Sequence, residues 1–340
     1  MMARILALLS FLLIGTLPAS GAEAKLRGIT VSCQTFGPEW ATPEMAATLD
    51  EIKTLGANAF AIHPYAKIAE NGAIRFSTEA APPEIVQPAR WAREKNLQMM
   101  LIPHLAYWGT KFSWRGEIDF ATEAEWKRFF TDYTRWITGL AVVCEAEKIP
   151  ILSIGLEYHR AVHREAEWRE IIRQVRAVYR GKLTYGANWD DFREVPFWDA
   201  LDSIGILAYF PLSTKDQQNP DETILRAAWK KWLGELSAYS QKMGKPILFV
   251  ELGYNESSDA AAHPWAYQTG GPNAEELQER CLRVALEETA KADFLEGVFL
   301  WKWFPTYANE RPENFDLRKP APRSAIRAAW QNAAPAISVD

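Results

Sequence analysis

The stretch Ile151-Leu-Ser-Ile-Gly-Leu-Glu157 decides the fold: a short apolar run that reads as a buried strand and closes on a carboxylate. Polar, helix-forming segments flank it, Glu123 to Lys148 before and Arg164 to Arg180 after, which places the strand in a β-α-β unit rather than a hairpin. Pro246-Ile-Leu-Phe-Val-Glu251 repeats the plan, an apolar strand ending in Glu ahead of Gly253 and Tyr254. Two strand-terminal carboxylates are expected to share one site.

The same alternation continues in both directions. Further strands are expected at 28–33, 58–63, 97–103, 182–189, 203–209 and 297–303. Helices are expected at 43–55 with Thr42 as cap, at 83–95, from Thr122 with Glu125 completing a capping box, at 221–243 with Gly244 as the stop, at 273–291, and at 321–330. Between the fifth and sixth strands only a short helical connection through Phe197-Trp198 is expected. Eight strands joined by right-handed crossovers close into an α/β fold, a single (β/α)8 TIM barrel. An open doubly wound sheet competes with it, but Ser32-Cys-Gln-Thr-Phe-Gly37 lacks the Gly-rich phosphate loop that such a sheet carries after its first strand.

Length and composition are compatible with this. A chain of 340 residues exceeds the usual single-domain prior, yet α/β barrels run to about 250 residues or more as one domain. Residues 1–24 read as a cleaved signal peptide: Arg4, the apolar run Ile5 to Leu17, then small residues up to Ala22-Glu23-Ala24. The barrel domain is expected over 25–335 in a secreted or periplasmic protein, with no membrane span in the mature chain because the apolar run is too short. A net charge of −5 without a basic stripe argues against nucleic acid. Cys33, Cys144 and Cys281 are too few and too dispersed for a zinc site or a disulfide scaffold, although one disulfide is possible. The 15 Trp stand out, since flat amphipathic rings are the surfaces on which sugars stack; about two-thirds of them are expected to be ordinary packing, including Trp126, Trp136, Trp168, Trp229 and Trp232.

In a barrel the C-terminal ends of the strands face one pocket. Read in order, those ends present Gln34 and Phe36, His63 and Tyr65, His104 and Trp108, Glu157, Asn188 and Trp189, Tyr209, Glu251, and Trp301 and Trp303. Two carboxylates among aromatic rings and amides suit glycoside hydrolysis, which needs a proton donor, a second carboxylate at the anomeric carbon, and flat rings to hold sugars. His63 and His104 are a weaker candidate for a metal pair, and no metal or other cofactor is expected. A single strand-end Glu would more often be a salt-bridge or loop-capping residue; the pair is what points to catalysis.

The chain resembles glycoside hydrolase family 113, within the large clan of retaining barrel hydrolases. The resemblance is carried by Thr35-Phe-Gly37, Trp114-Arg-Gly116, Ile154-Gly-Leu-Glu157, Leu183-Thr-Tyr-Gly-Ala-Asn-Trp189, Phe197-Trp-Asp-Ala-Leu-Asp202, Ile204-Gly-Ile-Leu-Ala-Tyr-Phe-Pro-Leu212, Gly244-Lys-Pro246, Phe249-Val-Glu-Leu-Gly-Tyr254, Pro264-Trp265 and Leu300-Trp-Lys-Trp303. It implies a β-1,4-mannanase-like enzyme acting on an oligosaccharide or polysaccharide, with Glu157 as general acid/base, Glu251 as nucleophile, and carboxyls about 5 Å apart. Glu157 is then expected to have a raised pKa, and Tyr209 to hold Glu251 ionised. Trp301 would lie beneath the sugar, with Asn188, Trp189, His104, Trp108 and Trp303 as further sugar contacts. One position departs from the clan: Leu156 stands where Asn usually precedes the acid/base. A catalytically weak or inactive carbohydrate-binding barrel is the alternative that this departure suggests.

Overall fold

In a computed structural model, residues 24–267, 269–305 and 314–331 are described. The expected leader thus lies almost wholly outside the described residues, as does the end of the expected domain. Eleven strands run β1 (Leu26–Val31), β2 (Ala59–Ile62), β3 (Tyr65–Ile68), β4 (Ile74–Arg75), β5 (Gln98–Leu101), β6 (His104–Ala106), β7 (Ile151–Leu156), β8 (Lys182–Asn188), β9 (Ile204–Leu207), β10 (Ile247–Leu252) and β11 (Leu295–Trp303). Among the described residues seven α-helices accompany them: α1 (Pro43–Thr54), α2 (Pro83–Glu94), α3 (Glu123–Ala146), α4 (Glu165–Val178), α5 (Glu222–Met243), α6 (Ala274–Ala290) and α7 (Pro320–Gln331).

Eight parallel strands form a closed barrel in the order β1-β2-β5-β7-β8-β9-β10-β11. Closure is made by β1 against β11, where Leu26 to Thr30 pair with Gly297 to Trp301 and the Ser32 amide donates to the Trp303 carbonyl at 2.7 Å. The fold is the expected single (β/α)8 barrel, with one thinning. Between β8 and β9 no α-helix forms; two short 3-10 turns, Phe192–Glu194 and Trp198–Ala200, make the crossover.

The barrel strands are mostly apolar on both faces because each face meets a core, with Thr30, Ser153, Thr184 and Glu251 as buried polar exceptions. Inside the barrel lie Met100, Leu156, Leu207, Leu248, Val250 and Phe299. Gly28 is required there, since a Cβ at its position would sit 2.2 Å from the Phe299 ring. Outside, Trp168 of α4 is fully buried in an aromatic cluster with Phe130, Tyr133, Tyr158, Tyr185 and Phe197, at ring-centroid distances of 5.5 to 5.7 Å. Trp126, Trp136 and Trp229 are likewise buried against the barrel, and Trp232 is partly so. The three cysteines are buried and free, so the one disulfide left open by the sequence does not form.

Helix ends mostly follow local chemistry. Thr122 and Glu125 make both bonds of the capping box on α3, Asp221 caps α5 through the Ile224 amide, and Gly244 ends α5 in the left-handed region at φ 64°. Thr42 does not cap α1 with its side chain; its hydroxyl turns back to the Glu39 carbonyl at 2.9 Å, because the preceding 3-10 turn Pro38–Ala41 leaves that carbonyl in reach. A small sheet, β4-β3-β6, stands above the barrel rim and was not foreseen, since its strands have only 2 to 4 residues. Among the described residues no helix is long and apolar enough to cross a membrane.

Truncating Trp168 to Ala should cost about 3–5 kcal/mol of stability, whereas Thr122→Ala, which removes an exposed cap, should cost about 1 kcal/mol. Paired denaturant melts of the two variants would measure the difference, and comparable losses would contradict this division of the core.

Candidate active site

The C-terminal ends of the barrel strands open into a cavity of about 900 Å3 that holds both Glu157 and Glu251. Glu157 follows β7 directly and has a backbone φ of +63°, a region that a side chain with a Cβ rarely adopts. Its surroundings over-determine the conformation: its amide donates to the Gly186 carbonyl at 2.8 Å, and the next amide, of Tyr158, donates to the Tyr185 hydroxyl at 2.9 Å. Such a residue costs on the order of 1–3 kcal/mol and persists where neighbours hold it, commonly at functional sites. Here the turn directs the carboxyl into the cavity and leaves Leu156 packed into the barrel interior.

Arg115, from the 3-10 turn Arg115–Glu117 after β6, reaches in to meet Glu157. Its Nη1 donates to Glu157 Oε2 at 2.6 Å, its Nε to the Leu105 carbonyl at 3.1 Å, and its Nη2 lies 3.1 Å from His104 Nδ1. His104 in turn places Nε2 3.7 Å from Glu251 Oε1. Glu251, on β10, accepts the Tyr209 hydroxyl on Oε2 at 2.7 Å. Glu251 is the deeper carboxyl, its side chain 6% exposed against 21% for Glu157.

That depth overturns the expectation that Tyr209 holds Glu251 ionised. The carboxyl that the surroundings push up is Glu251, to about 8, through burial first and the neighbouring charge of Glu157 second; the Tyr209 bond, Arg115 and Lys302 act in the opposite sense. This burial was not legible in the sequence, because depth at a strand end is set by the loops that close over it.

Aromatic rings close the cavity at both ends. On the β1–β5 side Phe36, Tyr65 and Trp108 pack edge to face or tilted at 5.5 to 6.1 Å. On the other side Trp189 stacks on Trp265 at 5.4 Å, nearly parallel. Between them Trp301 stacks on His104 at 5.8 Å.

Of the residues singled out from the sequence, Glu157, Glu251, Tyr209, Trp301, Asn188, Trp189, His104 and Trp108 all line this cavity. Asn188 also donates to Asp191 at 3.3 Å, and Asp191 lies 3.0 Å from His159 Nδ1. Trp303 is different. Its side chain is fully buried, with the Arg323 guanidinium 5.4 Å from its ring, so it packs behind the barrel wall and cannot touch a sugar. The period-two alternation of β11 accounts for this, since residues two apart share a face only while the strand stays regular, and the pairing shifts at Thr30/Val31 opposite Trp303. His63 bonds Ser32 at 3.0 Å and stacks on His104 at 4.5 Å; among the described residues no three His, Cys, Asp or Glu side chains gather as a metal site. Sequence reasoning quoted Arg115 only as part of a motif and assigned it no role. A lone Arg between Trp114 and Gly116 in a long loop was the available signal, because a cation held beside aromatic residues seldom serves solubility alone.

The model of glycoside hydrolase family 113 matches residues 29–316. The chain belongs to glycoside hydrolase family 113. As a member of that family it is a glycoside hydrolase, and the cavity just described is its candidate active site. Among solved structures it is similar to the family 113 β-mannanase from Alicyclobacillus acidocaldarius, at 25% identity and a TM-score of 0.78, covering 92% of this chain and 99% of that one. A second family 113 β-1,4-mannanase structure is similar at 24% identity and a TM-score of 0.77, covering 91% and 99%. A β-glucuronidase from Faecalibacterium prausnitzii shares the fold at 14% identity and a TM-score of 0.61, over 91% of this chain and 49% of that one. No curated protein matches the chain.

The raised Glu251 carboxyl makes stability depend on pH. Below its ordinary value of 4.5 the folded and unfolded chains both hold the proton, and burial of this group costs nothing by linkage. Above 4.5 the unfolded chain ionises while the folded one stays protonated, so stability falls until about pH 8, where the folded group ionises too. Glu251→Gln, which cannot ionise, should therefore melt higher than the wild type by a margin that widens from about pH 5 to about pH 8. A margin that stays flat in thermal melts across this range would contradict the assignment.

Proposed function

We propose that this enzyme is a secreted retaining β-glycosidase that cleaves β-1,4-linked mannan or a closely related β-linked polysaccharide by double displacement. The observation that carries the reading is the pair of carboxyls in one aromatic-walled cavity, Glu251 gripped by Tyr209 and Glu157 at the more open rim, in a chain of family 113. The similar family 113 structures are described as β-mannanases, which supports the choice of substrate. Secretion rests on the N-terminal sequence alone.

In this reading the sugar at the cleavage point lies over Trp301. With the proton that the two carboxyls share moved from Glu251 onto Glu157, Glu251 attacks the anomeric carbon while Glu157 delivers that proton to the leaving oxygen, and a glycosyl ester forms on Glu251. Glu157, now charged, then takes a proton from water as the water oxygen attacks the same carbon, and Glu251 leaves with net retention of configuration. The Tyr209 O–H suits the attack because it stabilises the charged form of Glu251 against the burial that opposes it. Glu157, being partly exposed, has room beside it for the leaving group and for the incoming water.

Leu156 favours a second reading. A side chain that neither donates nor accepts stands where the clan usually offers Asn, so a barrel that grips sugar without turning it over is the alternative. The purified chain, assayed against β-mannan, glucomannan, β-glucan, xylan and chitin oligosaccharides, separates the two. Wild-type turnover of the mannan-type substrates with retained anomeric configuration is expected, falling by several orders of magnitude in Glu157→Gln and Glu251→Gln. Binding of an oligosaccharide without turnover would favour the silent barrel, and inverted product would sink the double displacement.

A further inference from the structure

Arg115 contacts two groups of the candidate active site, Glu157 and His104. Its bond to Glu157 is an ion pair of 2.6 Å with both side chains largely buried, 13% and 21% exposed. Its second arm meets His104 Nδ1 at 3.1 Å. A guanidinium has five donors and no acceptor, so Nδ1 can only be accepting, and a neutral imidazole then carries its proton on Nε2. His104 is neutral: burial, and then the cations Arg115 and Lys302 together with His63, push it well below the usual range. Its Nε2 is buried, has no hydrogen-bond partner, and points at Glu251 Oε1 from 3.7 Å. Stacking of the ring on His63 and Trp301 keeps its plane in place.

We infer that Arg115 is a positioning residue: one arm holds Glu157, and the other fixes the tautomer of His104 so that an N–H, not a lone pair, faces Glu251. The consequence for Glu251 is electrostatic. Tyr209 bonds one oxygen at 2.7 Å, and the His104 N–H directs the positive end of its dipole at the other from 3.7 Å, which favours the charged form. The opposite tautomer would set a lone pair against Oε1 and disfavour it. Tyr65, Tyr158, Tyr185 and Tyr209 around the two carboxyls are pushed upward by burial and so uncharged near neutral pH; the Cys33 thiol is likewise pushed up and the His63 imidazole pushed down by burial, and Asp190, Tyr267 and the cation Lys302 also line the cavity. The Arg115 guanidinium, 3.1 Å from His104 Nδ1, is the donor that sets the tautomer.

The catalytic consequence rests on the proposed double displacement, but the tautomer is a property of the free protein, and the two are tested separately. Two-bond 15N–1H correlation spectra of the histidine-labelled chain, with His104 assigned from a His104→Gln variant, read the tautomer directly. The wild type should show His104 protonated on Nε2 and not on Nδ1 between pH 6 and 8. In Arg115→Met, which fills the space without donors, that pattern should be lost, with Arg115→Leu as the substitute if the Met variant does not fold. In the same variant the acid limb of the kcat/KM profile on mannan oligosaccharides should move up by about one pH unit, a roughly tenfold loss below the limb. A wild-type His104 protonated on Nδ1, or a variant that loses activity with tautomer and limb unmoved, would overturn the inference. If the wild type hydrolyses no substrate, the proposed function falls, and the spectra still decide the role of Arg115.

Discussion

The ion pair between Arg115 and Glu157 is the contact on which the top of this barrel depends. Glu157 stands on a left-handed turn, Glu251 is buried deeper across the cavity, and two carboxyls so placed repel each other in a medium less polar than water. A buried guanidinium offsets that repulsion only if its own donors are met, and here Glu157, the Leu105 carbonyl and His104 meet them. Removing either member of such a pair would strand the other charge, which is why the geometry around them is so constrained.

The barrel supplies the rigidity that this arrangement needs. Strand ends are fixed by ladders on both sides, and the outer aromatic cluster around Trp168 packs behind β7 and β8, where Tyr158 and Tyr185 belong to the cluster and also bond to each other beside the Glu157 turn. Packing outside the barrel and backbone geometry at its rim are therefore one structure. The loops are where this chain differs from a minimal barrel: the small β4-β3-β6 sheet carries Tyr65 and His104 to the cavity, and the missing fifth helix brings the Asn188–Asp191 turn close to it.

Much of this was legible in the residues. The barrel followed from the period of apolar runs and helices, because burial on both faces forces a parallel strand to be apolar throughout. The two Glu at strand ends followed from the same pattern, and so did most of the ring-bearing walls. Trp303 was misread because a shift in the β1–β11 pairing changes which face a residue occupies, and nothing local records that shift. The burial that pushes Glu251 up was not read because relative depth depends on loops contributed from far along the chain.

What the sequence by itself determined, then, is the order of elements, the closure into eight strands, and the family, since each is a succession of short local patterns whose order along the chain can be read directly. What only the tertiary structure decided is the electrostatics: that Arg115 turns inward to Glu157, that His104 faces Glu251, and that Glu251 is the buried member of the pair. The physical reason is that charge state depends on distances of a few ångströms between groups 11 to 42 residues apart in the chain, which no local propensity encodes.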